Sequence, residues 1–133
     1  MKEKKKEEIY FDFEKLRVYQ MALELADFIF NACKGMATSY RSSLVDQLHR
    51  AVVSIANNIA EGCGKVSHRE KIKYFTYALD SAKECVPPLT IAYRQGQIKE
   101  GDYQKGREYC DSICKMMVKL IKSVEERELA KSD

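Results

Sequence analysis

The sequence predicts an all-α protein: an antiparallel up-down-up-down four-helix bundle whose third helix is kinked at Pro87-Pro88. Three observations carry that expectation. Apolar residues recur at steps of three and four along four separate segments, the spacing that gathers side chains on one helix face. No long alternating run of Val, Ile or Thr marks a half-buried strand. The connections between the periodic segments are short, so successive helices are expected to pack as neighbours running in opposite directions.

The first helix is expected from about Phe13 to Lys34, with Leu16, Tyr19, Leu23, Ala26, Phe30 and Cys33 on its core face. Val18, Leu25, Phe28 and Ile29 then remain as extra hydrophobes, more than one core-facing stripe requires. Gly35 offers a left-handed turn to end the helix, and Thr38 and Ser39 offer a cap for the next. The second helix carries Val45, Leu48, Val52, Ile55 and Ile59, and Gly62 with Gly64 is expected to terminate it. Ser67-His68-Arg69-Glu70 fits a capping box that opens the third helix, in which hydroxyl and carboxylate each satisfy a free amide.

The third seam runs Ile72, Phe75, Leu79, Ala82, Val86, Leu89 and Tyr93, up to Gly96. Inside it, Pro87 and Pro88 remove two amide donors and clash with carbonyls one turn back, at a cost of about 3 kcal/mol or more. Because the apolar register is unbroken on both sides, a kink or wide turn near Cys85 with helix resuming is expected, not a domain boundary. The fourth helix shows Tyr103, Gly106, Cys110, Ile113, Met117, Leu120 and Val124 and is expected to end near Glu128. Residues 1–11 read as a flexible charged leader, 12–128 as one bundle domain and 129–133 as a frayed tail.

With 133 residues, 45% hydrophobic and 32% charged, the chain is the size of one folded domain and has no run suited to a membrane. The opening MKEKKKEEIY lacks an apolar stretch or cleavage site, so the cytoplasm is the expected location. The odd count of five cysteines fits that compartment, with Cys33, Cys85 and Cys110 serving as reduced, small hydrophobes. Cys110 and Cys114 stand one turn apart without a partner at metal-site spacing, and His49 and His68 are isolated. No metal, cofactor or small-molecule substrate is expected. A seam filled with Leu, Ile, Met and Phe leaves little room for a pocket, and neither glycine pattern of phosphate or dinucleotide binding occurs. An enzyme is therefore not expected.

The strings FEKLRVYQMALELA, DQLHRAVVSIANNIAEGCGK and YFTYALDSAKE, in that order and spacing, resemble one bacterial family. They are similar to the four-helix-bundle proteins encoded within intervening sequences of 23S ribosomal RNA genes, over about Phe13 to Val124. The most specific element is Gln47-Leu48-x-Arg50-Ala51 followed by Ser54-Ile55 and Asn58-Ile59-Ala60-Glu61-Gly62. The resemblance implies a compact bundle that assembles as a homopentamer. A related accessory subunit of diversity-generating retroelements suggests RNA, or a nucleic-acid enzyme such as a reverse transcriptase, as a partner. Pro87-Pro88 departs from the ordinary helix formers of many relatives.

Two sets of residues stand out as candidates. Ser54, Asn58, Glu61 and Gly62 form a structural motif: Asn58 lies at the edge of the apolar stripe, where its carboxamide must find partners across the bundle or in the Gly62 to Lys65 turn. Asn57 lies further round the helix, away from the seam. Between Arg41 and Lys73 basic residues exceed acidic ones by three, which equals the net charge of +3 for the whole chain. Arg50, Lys65, Arg69, Lys71 and Lys73 are the candidate contacts to nucleic acid, and Lys115, Lys119 and Lys122 form a second basic stripe. The expected function is a self-assembling binding or scaffold protein, with a basic adaptor for RNA or a nucleic-acid enzyme as the alternative.

Overall fold

The computed structural model describes residues 8–132. The part of the charged leader before Glu8, and Asp133, lie outside the described residues. Among the described residues the fold has five α-helices: α1 (Arg17–Cys33), α2 (Asp46–Cys63), α3 (His68–Glu84), α4 (Val86–Arg94) and α5 (Glu100–Ser132). A short 3-10 turn, Asp12–Lys15, precedes α1. A 3-10 turn, Thr38–Tyr40, and a π-helical turn, Arg41–Val45, lead into α2. No strand occurs among the described residues. With α3 and α4 as the two halves of one rod, the architecture is a four-helix bundle.

The proline pair explains the broken rod. Helix α3 ends at Glu84, Cys85 forms the junction, and Pro87 and Pro88 fall in the first turn of α4. First-turn amides have no partner within their own helix, so prolines there remove nothing that α4 needs. The chain meets the two prolines by ending one helix and starting another. At the far end of α4, Gly96 has φ 69°, the only positive φ among the described residues, and supplies the left-handed turn. Its amide reaches Tyr93 O and that of Gln97 reaches Ala92 O at 2.9 Å, which closes a Schellman motif. Gly35, expected to play that part after α1, does not have positive φ.

Helix α1 buries a different stripe from the expected one. Val18, Ala22, Leu25, Ile29 and Cys33 face the core, whereas Leu23 and Phe30 are exposed and Tyr19 and Ala26 half-buried. The two stripes are both apolar at three-four spacing and stand one residue, about 100°, apart on the helix. Periodicity cannot choose between them; Ala22, fully buried, marks the face that its neighbours approach closely. The other seams lie as expected, with Leu48, Val52, Ile55 and Ile59 in α2, Phe75 and Ala82 in α3, and Cys110, Ile113 and Met117 in α5 all buried.

Residue pairs set the packing. Ser54 Oγ lies 2.8 Å from Ser81 Oγ and Gly62 backs onto Phe75, so α2 and α3 meet with residue numbers running in opposite senses. Leu89 meets Gly106, Thr90 Oγ1 meets the Tyr103 hydroxyl at 3.2 Å, and His68 Nδ1 meets Glu128 Oε2 at 2.6 Å. Helix α1 packs on α2 and α5, and α3 also packs on α2 and α5. The α1/α2 and α3/α5 grooves therefore face opposite ways. The His68 contact uses the last turns of α5, which runs past the expected end at Glu128 to Ser132.

Candidate functional site

The Ser54–Asn58 motif is a small hydrogen-bond network at the α2/α3 contact. The Asn58 carboxamide donates to Ser54 O at 2.8 Å and to Ser54 Oγ at 3.0 Å, both one turn back on the same helix. The link across the bundle is then made by Ser54, whose hydroxyl meets that of buried Ser81. Asn58 is half-buried and Asn57 exposed, in keeping with their places on the helical wheel. Two polar groups on the edge of an apolar seam thus satisfy each other and fix α2 against α3. Ser81 was missed in the sequence, although one serine on the α3 face between Ala78 and Ala82 was the signal for it.

Gly62 does not terminate α2. It lies inside the last turn, buried, and a Cβ there would come within 2.6 Å of Phe75 Cε1. The helix closes at Gly64, whose amide reaches Ala60 O and Glu61 O. Lys71 Nζ donates to Cys63 O at 3.0 Å and lies 3.4 Å from Gly62 O, so the next helix supplies a cation to the carbonyl end of α2. Ser67 caps α3, its hydroxyl accepting the Glu70 amide at 3.0 Å.

Four of the five candidate basic contacts, Lys65, Arg69, Lys71 and Lys73, lie at the α2–α3 turn and the start of α3, and Arg50 lies further back on α2. Arg50 stands on α2 beside a cleft of about 450 Å³ that also has Gln47, Ser54, Glu84, Pro87 and Pro88 on its walls. Lys65 lies fifteen residues on, about 22 Å along the chain direction at helical rise. It pairs with Glu61 at 3.2 Å, and that hydrogen bond raises its pKa. Lys65 and Lys73 both stand over the Tyr74 ring, at 5.1 and 5.4 Å from its centre. Lys71 is engaged by the α2 carbonyls, and Arg69 is exposed on the first turn of α3. In the second stripe, Lys115 pairs with Asp111 at 2.8 Å.

A second candidate surface is apolar. Phe30 packs on the His49 ring with centres 4.2 Å apart, which fixes the register of α1 against α2. Leu23 lies two turns before Phe30 and Val53 one turn after His49, so all three open on the α1/α2 groove. They remain 37%, 38% and 44% exposed, with half-buried Tyr19, Ala26 and Ala56 completing the strip. The His49 Nε2 beneath this strip is buried with no hydrogen-bond partner. The surplus of apolar residues on α1 read from the sequence is real, but it resides on the stripe first assigned to the core.

Among the described residues no group of His, Cys, Asp and Glu could hold a metal ion, and no helix is long and apolar enough to cross a membrane. The model of the 23S rRNA-intervening sequence protein family matches residues 14–119. The fold is similar to the 1.70 Å crystal structure of a protein of unknown function from the S23 ribosomal protein family of Bacteroides thetaiotaomicron. That chain is 26% identical, with a TM-score of 0.72, and the match covers 79% of this chain and 95% of the other. No curated protein matches.

Proposed function

We propose that this chain, which belongs to the 23S rRNA-intervening sequence protein family, is a non-enzymatic cytoplasmic bundle that assembles with copies of itself and serves as a binding scaffold. The observation that carries this reading is the exposed strip of Leu23, Phe30 and Val53 along the α1/α2 groove. Covering what remains exposed of each side chain is worth on the order of 1 kcal/mol. One such contact is weak; a closed ring holds every copy twice and turns weak contacts into a stable assembly. Five copies is the number expected from the family resemblance, and in such a ring the strip of one copy meets a different face of the next.

The alternative, a basic adaptor for RNA or a nucleic-acid enzyme, has less support. Of its five contacts Lys71 already serves the α2 terminus, Lys65 is paired with Glu61, and Arg50 stands apart from the others. Light scattering on the variant carrying Leu23→Asp and Phe30→Asp tests the assembly reading, with Val53→Asp as an independent variant that leaves the Phe30–His49 contact intact. Both are expected to scatter as smaller species, with helix content by circular dichroism retained. Unchanged assembly in both would overturn the proposed interface.

A further inference from the structure

Three of the five cysteines converge where the third rod is broken. Cys85 is the junction between α3 and α4, Cys110 lies across from it on α5, and Cys114 follows one turn later. Cys85 and Cys110 are both buried, and Leu89 packed on Gly106 one turn further along sets the register in which they face each other. The Cys85 thiol donates to Ser81 O at 3.4 Å. Beside the pair is a cavity of about 510 Å³ whose wall includes Cys110 and Cys114. Val86 and Pro87, the first residues after the break, form one side of it, and Lys83, Arg107 and Asp111 place two cationic side chains and one carboxylate on its lining. It lies between the third rod and α5, on the side away from the α1/α2 strip.

We propose that Cys85 and Cys110 are a peroxide-sensitive dithiol, reached through this cavity, which closes to a disulfide tying the α3/α4 junction to α5. The oxidant is a hydroperoxide small enough for the cavity. Cys110 is the attacking sulfur because it lines the cavity, and Cys85 is the resolving one because it sits behind it. The neighbouring Cys85, with the Arg107 charge, lowers the Cys110 pKa against the opposing effect of burial. Proximity to Cys110 and burial raise that of Cys85.

In the first step the Cys110 thiolate attacks one peroxide oxygen and the O–O bond breaks. Cys110 becomes a sulfenic acid, and the departing oxygen leaves as water or alcohol after taking up the proton that Cys110 gave up. In the second step Cys85 attacks the Cys110 sulfur, the S–S bond forms, the S–O bond breaks, and the hydroxyl leaves as water with the Cys85 proton. Two thiols are oxidised and one peroxide is reduced. Cys114, on the same rigid helix as Cys110, is not required.

The test treats the reduced full-length chain with a small excess of hydrogen peroxide, blocks remaining thiols with a maleimide, and maps the peptides by mass spectrometry. A Cys85–Cys110 cross-linked peptide is expected, forming at least about tenfold faster than oxidation of Cys33, whose thiol is held protonated by burial. Cys85→Ala is expected to stop at a sulfenic acid on Cys110 that dimedone captures, and Cys114→Ser is expected to leave the cross-link unchanged. Should Cys85→Ala fail to fold, the cross-link in the unmodified chain and its persistence in Cys114→Ser still decide the matter. A cross-link made by Cys114 or Cys63, or a pair that stays reduced while Cys33 oxidises, would overturn the proposal.

Discussion

Replacing Gly62 by Ala should weaken this protein even though alanine is the better helix former. An added methyl would stand 2.6 Å from Phe75 Cε1 and 2.7 Å from Cδ1, the first of these 0.8 Å short of ordinary contact at 3.4 Å. The ring is only 2% exposed, so it cannot swing into solvent, and either the ring or the α2/α3 spacing must shift. Overpacking of a buried site costs about 1–3 kcal/mol. Alanine recovers up to about 1 kcal/mol of helix propensity, less in a last turn. The expected balance is a loss of about 1–2 kcal/mol, or a melting temperature lower by about 4–8 °C for a chain of this length. Urea unfolding followed by circular dichroism, at fixed protein concentration, measures it. In a Phe75→Leu background, where the colliding ring atoms are gone, Gly62→Ala should cost nothing or stabilise. A single Gly62→Ala variant as stable as the unmodified chain would refute the reasoning, because propensity would then have outweighed the collision.

Two further outcomes follow from the packing. Cys33, at the buried end of α1, has its thiol pKa raised by burial from 9.0 to about 11. Above pH 9 the unfolded chain releases this proton while the folded chain holds it, so stability should fall as pH rises from 9 to 11. Cys33→Ala should reduce the slope of that part of the pH profile, read by denaturant midpoints at each pH, and leave the share of Cys63 and Cys114, whose thiol pKa values burial also raises. Ser81→Ala removes the hydroxyl that meets Ser54 and should cost about 1 kcal/mol. Asn58→Ala should then cost less in the Ser81→Ala background than alone, because both act through Ser54; strict additivity in a double-mutant cycle would argue against one network.

The helices were legible in the sequence because each carries an apolar seam of the right period, and the end of α2 and the start of α3 follow from Gly64 and Ser67, whereas α2 begins at Asp46 without a cap from Thr38 or Ser39. The facing of α1 was not legible. Its two stripes are both apolar at helical spacing, and the choice depends on how α2 and α5 fit against Ala22 and Leu25, which is a property of three helices together. The break at Cys85 could be placed from the prolines, but their harmless position in the first turn of a new helix needed the backbone. For the candidate site, the partners expected for Asn58 across the bundle or in the Gly62 to Lys65 turn are instead Ser54 O and Oγ on its own helix, and the step from Ser54 to Ser81 depends on the register between α2 and α3. The Cys85–Cys110 contact likewise arises from residues 25 apart in the chain and has no local signature. For the basic residues from Arg50 to Lys73, the structure gives Lys65 a partner in Glu61 and Lys71 one in the α2 carbonyls, which the spacing of charges along the chain does not announce.

Sedimentation equilibrium of the unmodified chain at micromolar concentration tests self-assembly most directly. The strip of Leu23, Phe30 and Val53 should yield a defined multiple of the 15.4 kDa chain mass, five copies being the expected number. A single species of 15.4 kDa across the concentration range would contradict it.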